Sequence, residues 1–540
     1  MTENFSQTIN APHSHDLSAI ETLAQRLDQA RYCNDAITEL LGLSATEAIT
    51  REQIIPGKIR IEQILSDQHA TAEEQSLAYL TGFFMLGRQC TEKELNQALG
   101  ENSLTLLRTL NLVEELGSEQ YRALIDLRPH GADDGTELWV SSDVRAYQRA
   151  GALRKDHVLG IGQASLTLAQ ITERTPIKRA LDLGTGCGIQ TFHLLSHAEH
   201  VTATDISERA LAFTRFNILL NAEELHVDRH HLQNRVKLLQ GSLTEPVQGQ
   251  EFDLVVSNPP FVITPRKAEE KPEDQFTYRD GGLAGDQLIQ TLLNQLPTIL
   301  APNGRAQMLA NWEIWEDSKH WDHRVRQWTN NELDVWCIQR ETLSPEQYAE
   351  TWLKDASEQR DPQHYEQAYK DYLLDFAQRR VTAIGLGMLW LRKPASSTPK
   401  QQQPLQRYEE ITYPIQQPLA PFLTEAVELY DQLNQLTSEE LLSAHLEVAQ
   451  DVTEERHARP GAEHPGVILL REGAGLRRTI LESTELAGFV SACDGELSVQ
   501  QILGALAALL GWEDNTHQEE LLQQIRELIE KGFLRFTSAD

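Results

Sequence analysis

The chain has 540 residues, of which 40% are hydrophobic and 24% charged, so it can bury a full core and form more than one domain. Its formal net charge of −32 argues against tight, salt-driven binding to bare nucleic acid. No apolar run is long enough to span a bilayer, and the N-terminal residues lack the charged-then-apolar layout of a signal peptide. We therefore expect a cytoplasmic protein without a membrane partner.

The cysteines give no sign of a disulfide framework or a metal site. They are odd in number, scattered, and never spaced as CxxC: Cys33, Cys90, Cys187, Cys337 and Cys493. A secreted disulfide scaffold or a zinc site would need paired, closely spaced cysteines. We predict no bound metal and interpret these thiols as core or incidental residues.

The first 135 residues read as a helical N-terminal domain. Helical patterns are followed by the alternating YRALIDL, and Thr91 with Glu94 forms a capping box. Helices followed by a ribbon suggest a winged-helix-like module. Because its candidate recognition helix offers only Arg108, we favour a protein-facing or supporting role over contact with nucleic acid.

A strand, a glycine-rich loop and a helix follow one another in RALDLGTGCGIQTFHLL, Arg179 to Leu195. The strand-like ALDL leads into Gly184, Gly186 and Gly188, and an apolar-periodic helix begins at Ile189. The dinucleotide fingerprint GxGxxG would require glycine at position 189, which disfavours a nicotinamide cofactor. By itself the triplet also fits a close-packed turn.

Further strand ends follow in order. Asp205 ends a strand about twenty residues beyond the glycines, where an acidic residue can hold ribose hydroxyls. Later strands end at Gly241–Ser242 and at Asn258, and Leu300 to Asn311 forms a fifth. Alternating strands and helices predict an α/β fold with a Rossmann-like parallel sheet, in which all these strand ends meet at one edge.

The stretch SNPPFVITP, Ser257 to Pro265, lies directly after the valine-rich strand EFDLVVS. One interpretation is a turn in which Asn258 bonds its own backbone and Phe261 fills the core. The other is that prolines remove N–H donors, so the Asn258 side-chain oxygen and the Pro259 carbonyl converge as acceptors for an NH2 group. Phe261 would then offer a flat face to a planar amide or base.

Taken together, DLGTGCG, ATDIS, GSL and NPPF resemble the class I S-adenosylmethionine-dependent methyltransferases, in the branch that methylates planar nitrogens. YRDGGLAGDQLI, Tyr278 to Ile289, is similar to the segment that follows the catalytic motif in HemK-type enzymes. The resemblance covers about residues 138 to 393 and implies S-adenosylmethionine as cofactor. It implies a catalytic motif of Asn258, Pro259, Pro260 and Phe261, and cofactor contacts from Asp182, Gly184, Thr185, Gly186, Gly188, Asp205, Ile206, Gly241, Ser242 and Asn258.

Three details accompany this resemblance. Many relatives carry an acidic residue beside the adenine where this chain has Ser242. Ile206 is expected to pack on the adenine, although a strand-end isoleucine also fits a core position. The segment from Asp156 to Gln170 precedes the first strand and either covers the methionine end of the cofactor or packs as a plain loop and helix.

The substrate has two candidates, because a glutamine side-chain amide and an exocyclic base amine present the same NH2 edge to Asn258. The HemK-like segment and the acidic charge favour a glutamine of a translation (release) factor, that is, a macromolecular protein substrate. The alternative is a base of ribosomal RNA, transfer RNA or DNA. A noncatalytic scaffold is disfavoured by the intact glycines, Asp205 and Asn258.

The domain boundaries follow from composition. We predict a methyltransferase domain over residues 136–393, with a helical insert at about 341–380 that serves as a substrate lid or a buttress. Residues 394–420 read as a Pro/Gln/Ser-rich linker. Residues 421–540 read as a second winged-helix-like domain, for which we favour substrate docking.

Overall fold

The computed structural model describes residues 5–132, 135–149, 154–266, 280–329, 332–355, 361–395, 404–512 and 516–537. The chain forms two compact units. Met1–Ala169, Arg174–Thr398 and Pro404–Glu410 belong to the first, and Ile411–Asp540 with Gln170–Glu173 to the second. Residues 396–403 of the predicted linker lie outside the described residues, as do Tyr278 and Arg279 of the HemK-like segment. In the parts that are described, no helix is both long and apolar enough to cross a membrane.

The N-terminal part of the first unit is mostly helical. Thr71 and Thr91 each start a helix with a full capping box, in which the threonine hydroxyl and the glutamate three residues later satisfy free backbone N–H groups. A π-helical turn, Thr81–Met85, directly follows one of these helices. The elements are α1 (Leu17–Gln29), α2 (Asn34–Leu41), α3 (Leu43–Thr50), α4 (Ile55–Ser66), α5 (Ala72–Leu80), α6 (Glu92–Leu99), α7 (Ser103–Thr109), β1 (Val113–Gly117) and β2 (Gln120–Ala123).

The rest of the first unit alternates strands and helices. Its elements are β3 (Ile125–Gly131), β4 (Glu137–Asp143), α8 (Gln163–Ile171), β5 (Ile177–Leu183), α9 (Ile189–Leu195), β6 (Ala198–Asp205), α10 (Glu208–Leu220), β7 (Val236–Gln240), β8 (Phe252–Ser257), α11 (Gln287–Ile299), β9 (Leu300–Trp315), α12 (His323–Trp328), β10 (Asp334–Leu343), α13 (Pro345–Asp355), α14 (Pro362–Gln378), β11 (Val381–Arg392) and β12 (Gln406–Glu410).

Within the described residues, eight of these strands form one mixed sheet in the order β12-β10-β11-β9-β8-β5-β6-β7. The strands from β5 to β9 pair in parallel, and β11 runs antiparallel to both β9 and β10. The chain winds outward from β5 through β6 to β7, then returns to β8 on the other side of β5. The α/β fold is thus confirmed, with its topological switch point between β5 and β8.

Buried tryptophans and glycines set the packing at the antiparallel end of this sheet. Trp312 on β9 is fully buried and donates from Nε1 to Gln339 Oε1 at 3.0 Å, and Gln339 donates to Glu410 at 2.8 Å. A Cβ at Gly385 would overlap both Gln339 and Trp312, and one at Gly387 would overlap the backbone of β10. The glycines in AIGLG therefore make room for the indole.

The sheet extends into the segment expected to be a linker. Strand β12 pairs in parallel with β10 from Val335–Gln406 to Gln339–Glu410. Its charged sequence, QRYEE, has no apolar alternation, but pairing satisfies the backbone groups of β10, which would otherwise form an open edge. Long-range pairing, rather than local composition, orders these five residues.

The second unit adds a helical and strand-rich C-terminal region. Its described elements are α15 (Ala420–Gln435), α16 (Ser438–Ser443), β13 (His445–Val448), β14 (Val452–His457), β15 (Val467–Glu472), β16 (Thr479–Glu482), α17 (Thr484–Val490), β17 (Asp494–Ser498), α18 (Val499–Leu510), α19 (Thr516–Lys531) and β18 (Leu534–Phe536). The strands form two three-stranded sheets, β17-β13-β18 and β14-β15-β16.

Two asparagines on α10 bind one side of the β3–β4 hairpin. Asn217 accepts from the Ser141 backbone N–H at 2.9 Å and donates to the Ser141 carbonyl at 2.9 Å. Four residues on, Asn221 makes the same pair of bonds to Trp139, both at 2.7 Å. Residues i and i+4 share a helix face and residues i and i+2 share a strand edge, so the two spacings match. Side-chain amides thus take the place of a neighbouring strand.

Replacing Asn217 by alanine is expected to lower the free energy of unfolding of the first unit by roughly 2–4 kcal/mol, because buried backbone groups of Ser141 lose their partners. Urea unfolding followed by tryptophan fluorescence measures this, since every tryptophan except Trp512 lies in that unit. Asn234→Ala, at an exposed position, is the control. Equal stability of the two variants would contradict the role given to Asn217.

Candidate functional site

A cavity of about 430 Å³ lies at the carboxyl ends of the parallel strands. Its wall includes residues that directly follow β5, β6, β7 and β8, so it sits at the topological switch point, where α/β sheets place ligands. Ten residues singled out from the sequence line it: Gly184, Thr185, Gly186, Asp205, Ile206, Gly241, Ser242, Asn258, Pro259 and Pro260.

The glycine loop presents bare backbone to this cavity. Gly184 and Gly186 have φ values of +82° and +58°, and a Cβ built on either would meet no atom within 4 Å. Positive φ strains residues other than glycine, and the missing side chains leave open space for a ligand. Gly188 differs, because its Cβ would lie 3.1–3.2 Å from Phe192 and Thr214. It lies outside the wall and serves close packing of α9.

Asp182 lies buried beneath the loop. Its Oδ2 accepts from the hydroxyls of Thr185 and Thr191, each at 2.7 Å, and from the Thr191 backbone N–H at 2.9 Å. Burial raises the pKa of this carboxyl to about 6, and the three hydrogen bonds oppose that rise. Among the described residues, its Oδ1 has no partner. Asp182 therefore joins the loop to the start of α9 from below the cavity.

Asp205 joins two strand ends on the cavity wall. Its carboxylate accepts from the Gly186 N–H at 3.0 Å and from the Ser207 N–H at 2.8 Å. Burial raises its pKa, and these backbone donors oppose the rise. The next residue, Ile206, is 58% exposed, so it is a wall residue and not a core residue. A carboxylate beside an exposed apolar side chain suits a ribose joined to a flat base.

The turn after β7 forms another part of the wall. Gly241 donates its N–H to the Asp205 carbonyl at 3.1 Å, and a Cβ on Gly241 would overlap Pro246. Ser242 and Leu243 line the cavity beyond it. No carboxylate occupies position 242, so a ligand meets a serine and backbone groups here.

Asn258 supplies an acceptor without a protein donor. The residue follows β8 and lines the cavity, and its Oδ1 is buried with no hydrogen-bond partner in the described part of the chain. Buried side-chain oxygens in proteins almost always have a partner. An isolated acceptor at a cavity wall therefore indicates a place for a ligand N–H.

The Asn258–Phe261 turn departs from expectation at two residues. The Pro259 carbonyl accepts from the Phe261 N–H at 2.7 Å, so the expectation that no donor lies near it is wrong; its second lone pair remains to accept. Phe261 does not line the cavity. It packs against the core of the sheet and lies edge-on to Trp352, with ring centroids 6.3 Å apart, because the prolines turn its side chain toward the insert.

The segment before α8 also forms part of the cavity wall. The sequence predicted a role for this segment but indicated no individual residue in it. His157, Val158, Gly160 and Gly162 before α8 line the cavity, and so does Ser165 within α8. This placement agrees with the interpretation in which the segment covers one end of the ligand. Burial lowers the pKa of His157.

A buried ion pair fixes this segment. Arg209 on α10 donates to both oxygens of Asp143, at 2.9 and 2.6 Å, and to the Asp156 carbonyl at 2.6 Å. Asp143 also accepts from the Val158 N–H at 2.8 Å. Sequence reasoning missed both residues, since nothing local signals a pairing across 66 positions.

The described part of the HemK-like segment forms part of the cavity wall. Asp280, Gly281 and Gly282 line the cavity. Asp280 accepts from the Gly282 N–H at 2.9 Å and from Arg266, and its backbone forms a bridge with that of Phe261. The segment is thus attached directly to the Asn258–Phe261 turn.

Two family models match this chain. Residues 158–273 match "Methyltransferase small domain", which spans the glycine loop, Asp205 and Asn258. Residues 29–124, in the helical N-terminal part, match a domain of unknown function, DUF7059. The two matches follow one another without overlap.

Curated relatives align with the same part of the chain. A ribosomal protein uL3 glutamine methyltransferase of Bradyrhizobium diazoefficiens is 32% identical over 159 residues, which are 28% of this chain and 46% of the relative. Its counterpart in Francisella tularensis is 37% identical over 143 residues, 25% and 41% of the two chains. A release factor glutamine methyltransferase of Deinococcus radiodurans is 34% identical over 132 residues, 23% and 43%. The chain therefore spans less than half the length of these relatives.

The matched segment contains the glycine loop, Asp205 and Asn258, and it provides most of the wall of the switch-point cavity. Residues 158–273 are thus similar to the methyltransferase small domain, and the comparisons support a class I S-adenosylmethionine-dependent methyltransferase domain in this part of the chain.

Proposed function

We propose that this protein transfers a methyl group from S-adenosylmethionine to the side-chain amide nitrogen of a glutamine in a protein of the translation machinery. The observation that carries the proposal is the buried Oδ1 of Asn258 at the cavity wall, which has no partner among the residues that the structure describes. The glutamine methyltransferases among the relatives support the same chemistry.

The cavity fits the cofactor in size and in chemistry. Its volume of about 430 Å³ lies within the range of small-molecule sites. Bare backbone at Gly184 and Gly186 would receive the methionine end, with the segment from His157 to Gly162 covering it. Asp205 would hold the ribose hydroxyls, and the exposed Ile206 with Gly241 and Ser242 would enclose the adenine.

The cofactor supplies a methyl group already activated on a sulfonium sulfur, so the protein's task is alignment of the acceptor nitrogen. An amide nitrogen is a poor nucleophile because its lone pair is delocalised. Asn258 Oδ1 and the second lone pair of the Pro259 carbonyl would accept the two amide hydrogens, which would increase electron density on nitrogen and stabilise the positive charge that develops there. As the N–CH3 bond formed, the S–CH3 bond would break with its electron pair going to sulfur, so S-adenosylhomocysteine would leave and one amide hydrogen would pass to water as a proton. Fixing the nitrogen in line also removes the entropic cost of alignment.

The proposed protein substrate agrees with the charge of the chain. A net charge of −32 opposes a phosphate backbone, and the candidate recognition helix α7 carries one basic residue, Arg108, which pairs with Glu115 at 2.9 Å. For the N-terminal and C-terminal regions we propose substrate docking.

Gly186→Val should weaken S-adenosylmethionine binding by roughly 100-fold or more, about 2.7 kcal/mol, because the new side chain enters the cavity. Gly249→Val is a matched control: φ at Gly249 is +76° and its Cβ position is also open, but Gly249 does not line the cavity. Calorimetry on both variants separates ligand exclusion from backbone strain. An equal loss of affinity in both variants would contradict the role of Gly186 in leaving space for the cofactor.

Asn258→Ala should lower the methyl-transfer rate by about 10²-fold or more, the usual scale for losing one electrostatic stabiliser, while cofactor affinity changes only a few-fold. Asn258→Asp, which keeps an acceptor, should retain part of the activity. Single-turnover rates measured with calorimetric affinities test this. Turnover of the alanine variant near that of the wild type would refute the catalytic role.

Labelled methyl groups from S-adenosylmethionine should enter a protein fraction of cell extract, resist ribonuclease and be released by protease. Substrate affinity should depend weakly on salt, because few phosphates are neutralised on binding. Label in RNA, with a steep fall of log affinity against log salt, would favour a base N-methyltransferase instead.

A further inference from the structure

The insert between β10 and β11 lies against the chain that leaves the Asn258–Phe261 turn. Val262 and Ile263 are buried in an apolar cluster with Tyr348 of α13 and Phe376 of α14, and all four are no more than 6% exposed. The cluster is separate from the main core of the sheet. The exit of the turn is therefore packed against the insert.

One hydrogen bond joins the insert to the backbone of this exit. The Tyr348 hydroxyl accepts from the Ile263 N–H at 2.9 Å and from Asn311 Nδ2 at 2.6 Å. Asn311 lies on β9 and is fully buried. A continuous polar link thus runs from the central sheet, through the tyrosine, to a residue five positions after Asn258.

The Ile263 N–H depends on the Tyr348 hydroxyl as its hydrogen-bond acceptor. It lies outside the strands of the sheet, so no ladder partner is available, and Ile263 is fully buried, which excludes water. A buried amide without a partner is costly, so this segment would shift if the hydroxyl were absent.

Aromatic contacts also join the insert to the Asn258–Phe261 turn itself. Phe261 lies edge-on to Trp352, Trp352 lies 5.9 Å from Tyr348, and Tyr348 lies edge-on to Phe376 at 5.7 Å. Trp352 is one helical turn after Tyr348, so both face the same side of α13. The ring next to the catalytic prolines therefore rests on the insert.

We infer that Tyr348 is a positioning residue for methyl transfer, which holds the Asn258–Phe261 turn in register with the cavity by binding the Ile263 backbone to the sheet through Asn311. The inference rests on the proposed function and deepens it. Tyr348 does not line the cavity, so it acts on the acceptor nitrogen through the backbone and leaves the cofactor contacts alone. The insert then serves as a fixed support of the catalytic turn.

Tyr348→Phe tests this with minimal change, because the ring and its apolar contacts are retained. We expect kcat to fall by about 10-fold or more, since small misplacements of a catalytic group are costly, while the cofactor Kd stays within about 2-fold. Hydrogen–deuterium exchange of a peptide covering residues 258–266 should become faster at Ile263. That second measurement requires no substrate.

Tyr369→Phe is the matched control. Its hydroxyl binds Glu350 at 3.1 Å and so joins α14 to α13 within the insert, without touching the turn. It should leave kcat, cofactor Kd and exchange at Ile263 within about 2-fold of the wild type. Asn311→Ala removes the other partner of the Tyr348 hydroxyl. It should change kcat and the exchange rate at Ile263 in the same direction as Tyr348→Phe does. If Tyr348→Phe misfolds, Asn311→Ala takes its place in the test.

Three results would overturn the inference: an unchanged kcat in Tyr348→Phe, unchanged exchange at Ile263, or a parallel loss of cofactor affinity. Failure of the proposed function would look different, because the wild-type protein itself would then transfer no methyl group to a protein glutamine. The exchange measurement would still report on the link from Tyr348 to Ile263.

Discussion

The parallel pairing of β5 with β8 is the constraint on which the site depends. The register places Leu183 beside Ser257, and the Ser257 hydroxyl donates to the Leu183 carbonyl at 2.8 Å. The residue that follows each strand is Gly184 or Asn258, so the glycine loop and the Asn258–Phe261 turn begin side by side. A one-residue slip would reverse the faces of all side chains on β8. Everything else at the site is arranged around these two neighbouring strand ends.

Much of this site could be predicted from the sequence because its signals are local. The glycine triplet, Asp205 and the Asn-Pro-Pro turn each follow a short apolar strand, and parallel strands end at a common edge. The exposed position of Ile206 and the separate packing role of Gly188 could not be read locally, since burial depends on elements far away in the chain. Neither could the Phe261 N–H bond to Pro259, which the apolar cluster around Trp352 helps to fix.

The features missed in the fold share one physical cause, which is pairing between distant residues. Strand β12 has a charged sequence and is ordered by β10. The cavity segment at His157 is fixed by Arg209 and Asp143 from other elements. Sequence patterns report how a segment buries its own side chains, whereas these contacts satisfy backbone groups or charges of a different segment.

The asparagine pairs on α10 have a consequence for behaviour in solution. In the described chain β4 pairs only with β3, and a two-stranded ribbon of this kind offers its outer N–H and C=O groups to any extended chain that approaches. Asn217 and Asn221 occupy those groups at Ser141 and Trp139. At these two residues the outer edge of β4 is therefore closed to β-augmentation by a second molecule. Helix α10 thus opposes self-association along that edge, while its Arg209 holds the cavity segment at His157.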